Sequence, residues 1–258
     1  MTALRLSKYG ITGIRAANSG PLSLGGTNSW VVGRDPAWLV DPGPALEEHI
    51  EALTAEVERH GGLGGIALTH DHIDHAEAVP ALRARFPNAP LAASRGEVDV
   101  RLEDGDVFGP LEALATPGHA PDHLAFLAGA AAFTGDAVLG EGSVFISPDP
   151  GALAAYLDGL ERLRRRRPEV ILPGHGPPVH QPDAKLEDYI AHRLERERRL
   201  IEALDAGHRR VEELLDHVWA DAPQALRPVA AVTLAAHLDK LADEGRLPDG
   251  VERPARAW

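Results

Sequence analysis

Three histidines and the Asp74 carboxylate fall within six residues, as His70-x-His72-x-Asp74-His75. Imidazole and carboxylate are the groups that hold a divalent cation such as zinc when thiolates are not used. The chain has no cysteine, so a thiolate nucleophile, a disulfide and a Cys-based zinc site are excluded. The apolar run Gly65-Ile66-Ala67-Leu68 leads into the cluster through Thr69 and predicts a buried strand. The cluster therefore stands where a rigid element hands over to a loop, the usual place for displayed chemistry.

Three more metal-ligand types stand at similar junctions. His119 closes Ala115-Thr116-Pro117-Gly118-His119, Asp136 closes Phe133-Thr134-Gly135-Asp136, and His175 lies in Leu172-Pro173-Gly174-His175-Gly176. In each case an apolar strand runs into a glycine-containing turn that presents one His or Asp. Any one of them reads equally well as a satisfied turn residue. Added to the first cluster, they read as parts of one centre.

The elements that must position these residues follow from periodicity and turn chemistry. Asn28 to Gly33 and Ala37 to Asp41 are strand candidates, joined by Arg34-Asp35-Pro36 as a hairpin. Leu46, Ile50, Leu53 and Val57 mark one face of a helix over 46–60, stopped by Gly61-Gly62. A helix is expected over 76–85 and a strand over 91–94, with several short strands between 106 and 136. A helix over 153–166 and a strand at 170–172 complete this block. Beyond it come a long charged helix over 186–204 and shorter helices over 211–218 and 234–241, the last two separated by a Pro-rich break. There is no P-loop and no G-x-G-x-x-G pattern.

In this order, His70-x-His72-x-Asp74-His75, His119, Asp136 and His175 resemble the ligand series of the metallo-β-lactamase superfamily, over roughly residues 20 to 180. The resemblance implies an α/β fold, a four-layer αββα sandwich, which fits the element order above. It implies His70, His72 and His119 on one metal ion, Asp74, His75 and His175 on a second, and Asp136 bridging them. The implied cofactor is two Zn2+, with Mn2+ or Fe2+ suiting the same ligands. Two such ions share a water whose pKa falls toward ~7, giving a hydroxide that attacks a carbonyl carbon or a phosphorus. Asp74 and Asp136 are the implied catalytic carboxylates, Asp136 by bridging and Asp74 by accepting a proton or orienting the nucleophile. Asp71 is a candidate acceptor behind a ligand histidine. The missing cysteine sets the chain apart from cysteine-containing zinc β-lactamases. Its full set of ligands is similar to that of the glyoxalase II, tRNA-processing and phosphodiesterase branches, and it keeps ligands for two ions where persulfide-oxidising relatives use a single iron.

The stretches Tyr189 to Glu197, Val211 to Leu214, Ala236 to Leu241 and Gly245 to Leu247 resemble the lactamase-like protein 2 group, as does Asn28 in Gly25-Gly26-Thr27-Asn28-Ser29-Trp30. The shift in composition from about Lys185 sets a small helical domain over 185–258 apart from a catalytic domain over 1–184, and that group carries a C-terminal winged-helix-like module. Its animal mitochondrial members act on single-stranded RNA as endoribonucleases, and fungal relatives hydrolyse acyl-carrier thioesters. A cut near residue 185 is expected to spare the metal and change substrate preference.

Charge and composition bear on the choice. A formal net charge of −13 disfavours a long non-specific grip on nucleic acid. Residues 200–258 hold 7 Lys or Arg against 11 Asp or Glu, so the appendage reads as a lid or scaffold. Arg164-Arg165-Arg166-Arg167 reads as the solvated end of a helix. His237 and His123 are candidate substrate contacts, whereas His49, His60, His208 and His217 read as helix-surface residues. No apolar run approaches the ~20 residues that span a bilayer, and Met1 to Leu6 lacks a secretory core. A cytoplasmic location with no membrane partner is expected. Three function classes follow: ester or thioester cleavage of a small or carrier-bound acyl substrate, phosphodiester cleavage of single-stranded RNA, or a non-catalytic metal-containing binding protein. An acyl pocket should be apolar, narrow and bounded by the appendage. A nuclease needs an open basic groove leading to the metals.

Overall fold

Residues 3–20 and 23–254 are described by the computed structural model, so the outermost residues of both expected domains lie outside the described ones. Strands β1 (Ala3–Leu6), β2 (Ile11–Arg15), β3 (Asn28–Val32), β4 (Ala37–Val40), β5 (Leu63–Ala67), β6 (Leu91–Ala93) and β7 (Val100–Arg101) form one sheet in that order. Strands β8 (Val107–Phe108), β9 (Leu111–Ala115), β10 (Leu124–Ala128), β11 (Ala131–Gly135) and β12 (Val170–Pro173) form a second, in the order β12-β11-β10-β9-β8. The α-helices are α1 (Glu47–Arg59), α2 (Ile73–Ala76), α3 (Val79–Arg85), α4 (Ala152–Arg165), α5 (Pro182–Asp205), α6 (Val211–Val218) and α7 (Arg227–Asp243).

Side chains on a strand alternate between its two faces, and this sorts the core into layers. Trp30 and Val32 of β3 point inward to meet Phe126, Phe133 and Leu172 of the second sheet. Val31 points the other way, against Ile50, Leu53 and Val57 of α1 and Leu82 of α3. On the far side, Leu114, Ala125, Ala132 and Ile171 pack under Leu153, Tyr156, Leu160 and Leu163 of α4 and Leu186 and Tyr189 of α5. The result is the four-layer αββα sandwich. A further cluster joins Leu200 and Leu204 of α5 to Leu214, Leu215, Leu234 and Leu238 of α6 and α7. Thus α5 runs unbroken across the expected 184/185 boundary and serves both cores.

Strand direction sets the site. β4 and β5 pair in parallel, as do β11 and β12, and β9 runs parallel to β11 because both are antiparallel to β10. The two sheets are stitched where these strands end. Asn28 donates to the Pro173 and Gly176 carbonyls at 3.0 and 2.8 Å, the Trp30 indole donates to Pro173 at 3.2 Å, and the Leu124 amide donates to the Thr69 carbonyl at 2.7 Å.

Several expectations are corrected. The helix expected over 76–85 is two pieces, α2 within the ligand cluster and α3. β1 and β2 were not anticipated. His49 and His60 are buried rather than on a helix surface, at 0 % and 6 % exposure. The His49 ring reaches Ser29 Oγ and the Pro42 carbonyl at 3.0 and 3.1 Å, and His60 meets Glu56 at 3.3 Å. His208 is half-buried and His217 exposed. No helix among the described residues is long and apolar enough to cross a membrane.

Candidate metal centre

His70, His72, Asp74 and His75 follow the end of β5. His119 follows β9, Asp136 follows β11, and His175 follows β12. The structure brings all seven together. Asp136 Oδ2 lies 3.6 Å from His119 Nε2 and 3.4 Å from His175 Nε2, while its Oδ1 lies 3.5 Å from His75 Nε2. Asp74 Oδ2 lies 3.3 Å from His175 Nε2, and His72 Nδ1 lies 3.1 Å from His119 Nε2. Three groups have all their ligand atoms within 4.8 Å of one another: His70-His72-His119, His70-His75-Asp136 and Asp74-His75-His175.

These atoms fit a cation. Buried His70 Nε2, His75 Nε2 and Asp136 Oδ1 have no hydrogen-bond partner, and a polar atom is not normally left so. The opposite edge of each ring is spoken for. Thr69 Oγ1 faces His70 Nδ1 at 3.0 Å, Asp41 Oδ2 accepts from His75 Nδ1 at 2.9 Å, and the Phe145 and Gly26 carbonyls face His119 and His175 Nδ1 at 3.4 Å. Those bonds leave each Nε2 lone pair aimed inward, where a cation would take it.

Electrostatics point the same way. Burial opposes ionisation of Asp136, yet His75 and His175 hold its carboxyl well below the usual carboxylate range. Burial likewise opposes ionisation of Asp74, but the bond to His175 and the charge of His75 bring it to about 2. Burial disfavours protonated His175, yet Asp136 and Asp74 raise it to about 10. His119 is pushed down to about 4, chiefly by burial. The centre is thus a pair of carboxylates demanding positive charge, with imidazoles that a divalent cation would relieve of their protons.

Asp41, which the sequence does not single out, is tied into the centre. Its Oδ1 accepts the Thr69 amide at 2.8 Å, and its Oδ2 accepts the Thr69 hydroxyl at 2.7 Å as well as His75. Asp41 holds φ +51, a left-handed conformation costly for a residue with a side chain. Asp71, the acceptor expected from sequence, is exposed. His123 and His237 do not line the cavity described next, and both are buried, at 1 % and 0 % exposure. His123 instead accepts the Asp136 amide at 3.1 Å and bonds Thr116 Oγ1 at 2.9 Å, fixing the turn that carries Asp136.

Five of the seven residues, His72, Asp74, His119, Asp136 and His175, open onto a cavity of about 640 Å3. Its near wall includes Leu24, Leu139 and Phe145. Its far wall is Trp219, Pro223, Leu226, Val229 and Ala230 from the C-terminal helices and the loop between them. Arg193 and Arg196 of α5 also line it. The Arg164 to Arg167 run is elsewhere, with Arg164 paired to Asp183 at 2.7 Å and Arg166 to Glu112 at 2.7 Å.

Comparison with known proteins agrees with this architecture. Residues 22–98 and 94–175 match the family model of the metallo-beta-lactamase superfamily, and residues 211–258 match that of the beta-lactamase associated winged helix domain. The beta-lactamase-like protein 2 homolog of Caenorhabditis elegans is 30% identical, covering 91% of this chain and 85% of its own. The atrochrysone carboxyl ACP thioesterase of Aspergillus chevalieri is 31% identical over 95% of this chain and 85% of its own. A beta-lactamase domain protein from Burkholderia ambifaria superposes with a TM-score of 0.80 at 21% identity, covering 99% of this chain and 93% of its own.

Proposed function

The chain belongs to the metallo-beta-lactamase superfamily, whose members are mostly metal-dependent hydrolases, and from that premise we propose that it hydrolyses an ester or thioester of an apolar acyl group, small or carrier-bound. One observation carries this reading. The cavity at the His/Asp cluster is walled by Leu24, Leu139, Phe145, Trp219, Leu226 and Val229. An apolar, convergent cleft holds a hydrocarbon chain and excludes water from it. The name of the Aspergillus chevalieri relative, an ACP thioesterase, accords with it.

In this proposal His70, His72 and His119 would hold one divalent cation and Asp74, His75 and His175 a second, with Asp136 available to either. Zinc suits this borderline nitrogen and oxygen set, and Mn2+ or Fe2+ are the other fits. When bound, such ions lower the pKa of a water and stabilise negative charge on the attacked carbonyl. The chain's own residues supply the rest. Asp74, half-buried at the cavity edge and held by the Thr27 hydroxyl at 3.1 Å, is placed to orient the attacking water through its carboxylate. Asp136 keeps its negative charge between the two histidine groups. Phe145 covers His119, ring centroids 5.0 Å apart, and shields that edge from solvent.

Cleavage of RNA would need free cations beside the cluster. A strand's repeated phosphates need an exposed row of such cations, but Arg196 is matched by Asp221 at 2.6 and 2.8 Å, and Arg193 is a single, enclosed one. The test compares three substrates on metal-loaded protein of known metal content: an acyl thioester, bis-p-nitrophenyl phosphate and labelled single-stranded RNA. Thioester turnover well above the other two is expected. Faster RNA cleavage would reverse the assignment, and no turnover on any with both cations bound would make the protein a binding module.

A further inference from the structure

Arg193 is a cation that the fold leaves without a counter-ion. It lies on the cavity side of α5 and is 3 % exposed. One guanidinium nitrogen donates to Ser143 Oγ at 3.1 Å and to the Val144 carbonyl, the group lies 5.6 Å from the centroid of the Tyr156 ring, and Nε has no partner. All of these neighbours are neutral. No carboxylate among the described residues pairs with Arg193, although nearby cations are matched: Arg196 by Asp221 at 2.6 Å, and Lys240 by Glu197 at 2.8 Å. Other titratable groups around it add no negative charge. His192 and His237 are pushed down to about 4 and about 3, first by burial and next by Arg193 itself, and so stay neutral. A buried, unpaired charge is costly, and an unsatisfied one calls for an explanation such as a ligand that completes it.

The position of this cation is informative. Val144, whose carbonyl Arg193 holds, precedes Phe145, whose carbonyl faces His119 Nδ1 at 3.4 Å. The charge therefore stands one residue along the loop that supports the His/Asp cluster, within the same cavity. Resting on the acyl-hydrolase reading above, we propose that Arg193 anchors a carboxylate at the distal end of the acyl chain, so that the preferred substrate is a mono-ester or mono-thioester of a dicarboxylic acid. The ester carbonyl lies at the cluster, the methylenes lie along the apolar walls, and the free carboxylate meets the guanidinium. A singly charged planar carboxylate matches one guanidinium. A phosphate dianion would leave a charge unmatched beside Asp74 and Asp221, which line the same cavity.

The experiment compares hexanoyl and adipoyl thioesters of N-acetylcysteamine, a thiol without phosphate, on metal-loaded wild type, Arg193→Lys and Arg193→Met. Wild type should prefer the adipoyl substrate by about 10-fold or more in kcat/KM, mainly through KM, as a charged hydrogen bond warrants. Arg193→Met should abolish the preference and Arg193→Lys should keep part of it. In parallel, adipate should raise the Tm of wild type more than hexanoate does, a readout that survives if a variant folds poorly. Equal kcat/KM for both substrates in wild type, or equal Tm shifts, overturns the proposal while leaving the hydrolase reading intact. Absence of turnover on either thioester defeats the hydrolase reading instead. A preference for coenzyme A over N-acetylcysteamine thioesters, unaffected by the acyl carboxylate, would assign the cation to phosphate and overturn the proposal.

Discussion

Exchanging one oxygen of Asp41 for an amide nitrogen tests how much of the centre depends on groups behind the ligands. Both carboxylate oxygens of Asp41 act only as acceptors, from the Thr69 amide, the Thr69 hydroxyl and His75 Nδ1. Asn at this site must turn its NH2 toward one of those donors, so at least one bond becomes a donor-donor contact. Asn tolerates the left-handed backbone at φ +51, so the substitution adds no backbone strain. Asp41→Asn is expected to weaken metal affinity by about 10–100-fold with secondary structure retained, read by competition with a chromogenic chelator. Unchanged affinity would show that His75 needs no tether. The seven proposed ligands were legible because each is a His or Asp at the mouth of an apolar run. Asp41 was not, because Asp41-Pro42-Gly43 looks like turn chemistry. Its meaning emerges only when β4 pairs with β5 in parallel, Val40 against Ala67, and so carries the next residue to Thr69. Sequence periodicity does not specify that pairing.

The turns after β11 and β12 must pass close to each other, and glycine makes that approach possible. The Gly174 amide donates to the Gly135 carbonyl at 2.8 Å. A Cβ on Gly174 would stand 2.6 Å from His75 Cε1 and 2.7 Å from Asp136 Oδ1. Gly174→Ala is therefore expected to displace those two side chains, costing about 1–3 kcal/mol of stability and a larger share of metal occupancy. Elemental analysis beside circular dichroism separates the two effects, and full occupancy with wild-type activity would refute the steric argument. Elements with a strong period were readable: α1, α4 and α5 all show apolar spacing of three and four. β1 was not, since it is largely exposed and short. Sequence alone starts the last helix at Leu234, because Pro228 looks like a break. In fact α7 begins at Arg227, and Pro228 occupies its first turn, where the missing N–H costs nothing.

The way α5 joins the sandwich to the C-terminal helices decides where the chain can be cut. Leu186 and Tyr189 are buried beside Leu153, Tyr156 and Leu160, and the Tyr189 hydroxyl donates to the Gly142 carbonyl at 3.0 Å. A cut at 184/185 strips that seam from the second sheet. The fragment 1–184 is thus expected to be insoluble, against the expectation from composition alone. A cut after Gly207 should leave a metal-binding protein with weakened selectivity for acyl chains, because Trp219, Leu226 and Val229 no longer close the cavity. Soluble, metal-loaded 1–184 would show that α5 is dispensable to the sandwich. The composition shift near 185 marked a change in surface character, but a long helix can carry one surface while burying residues in two cores. The same junction shapes the response to acid. His237 of α7 is wholly buried beside Trp219, with ring centroids 5.9 Å apart and no partner for either ring nitrogen. Burial, then Arg193 and Lys240, push its pKa from 6.5 to about 3. The folded state therefore refuses a proton that the unfolded chain accepts once pH falls below 6.5. Stability drops as pH is lowered through that value and goes on dropping toward about 3. His237→Leu removes both the titration and two unsatisfied nitrogens. In metal-free protein its Tm should equal or exceed that of wild type at pH 7, and the gap should widen steadily toward pH 5. Because both proteins keep the His/Asp cluster, its titration cancels in the difference. Parallel Tm curves across that range would mean that His237 is solvated in solution and that the junction between α7 and α5 is open.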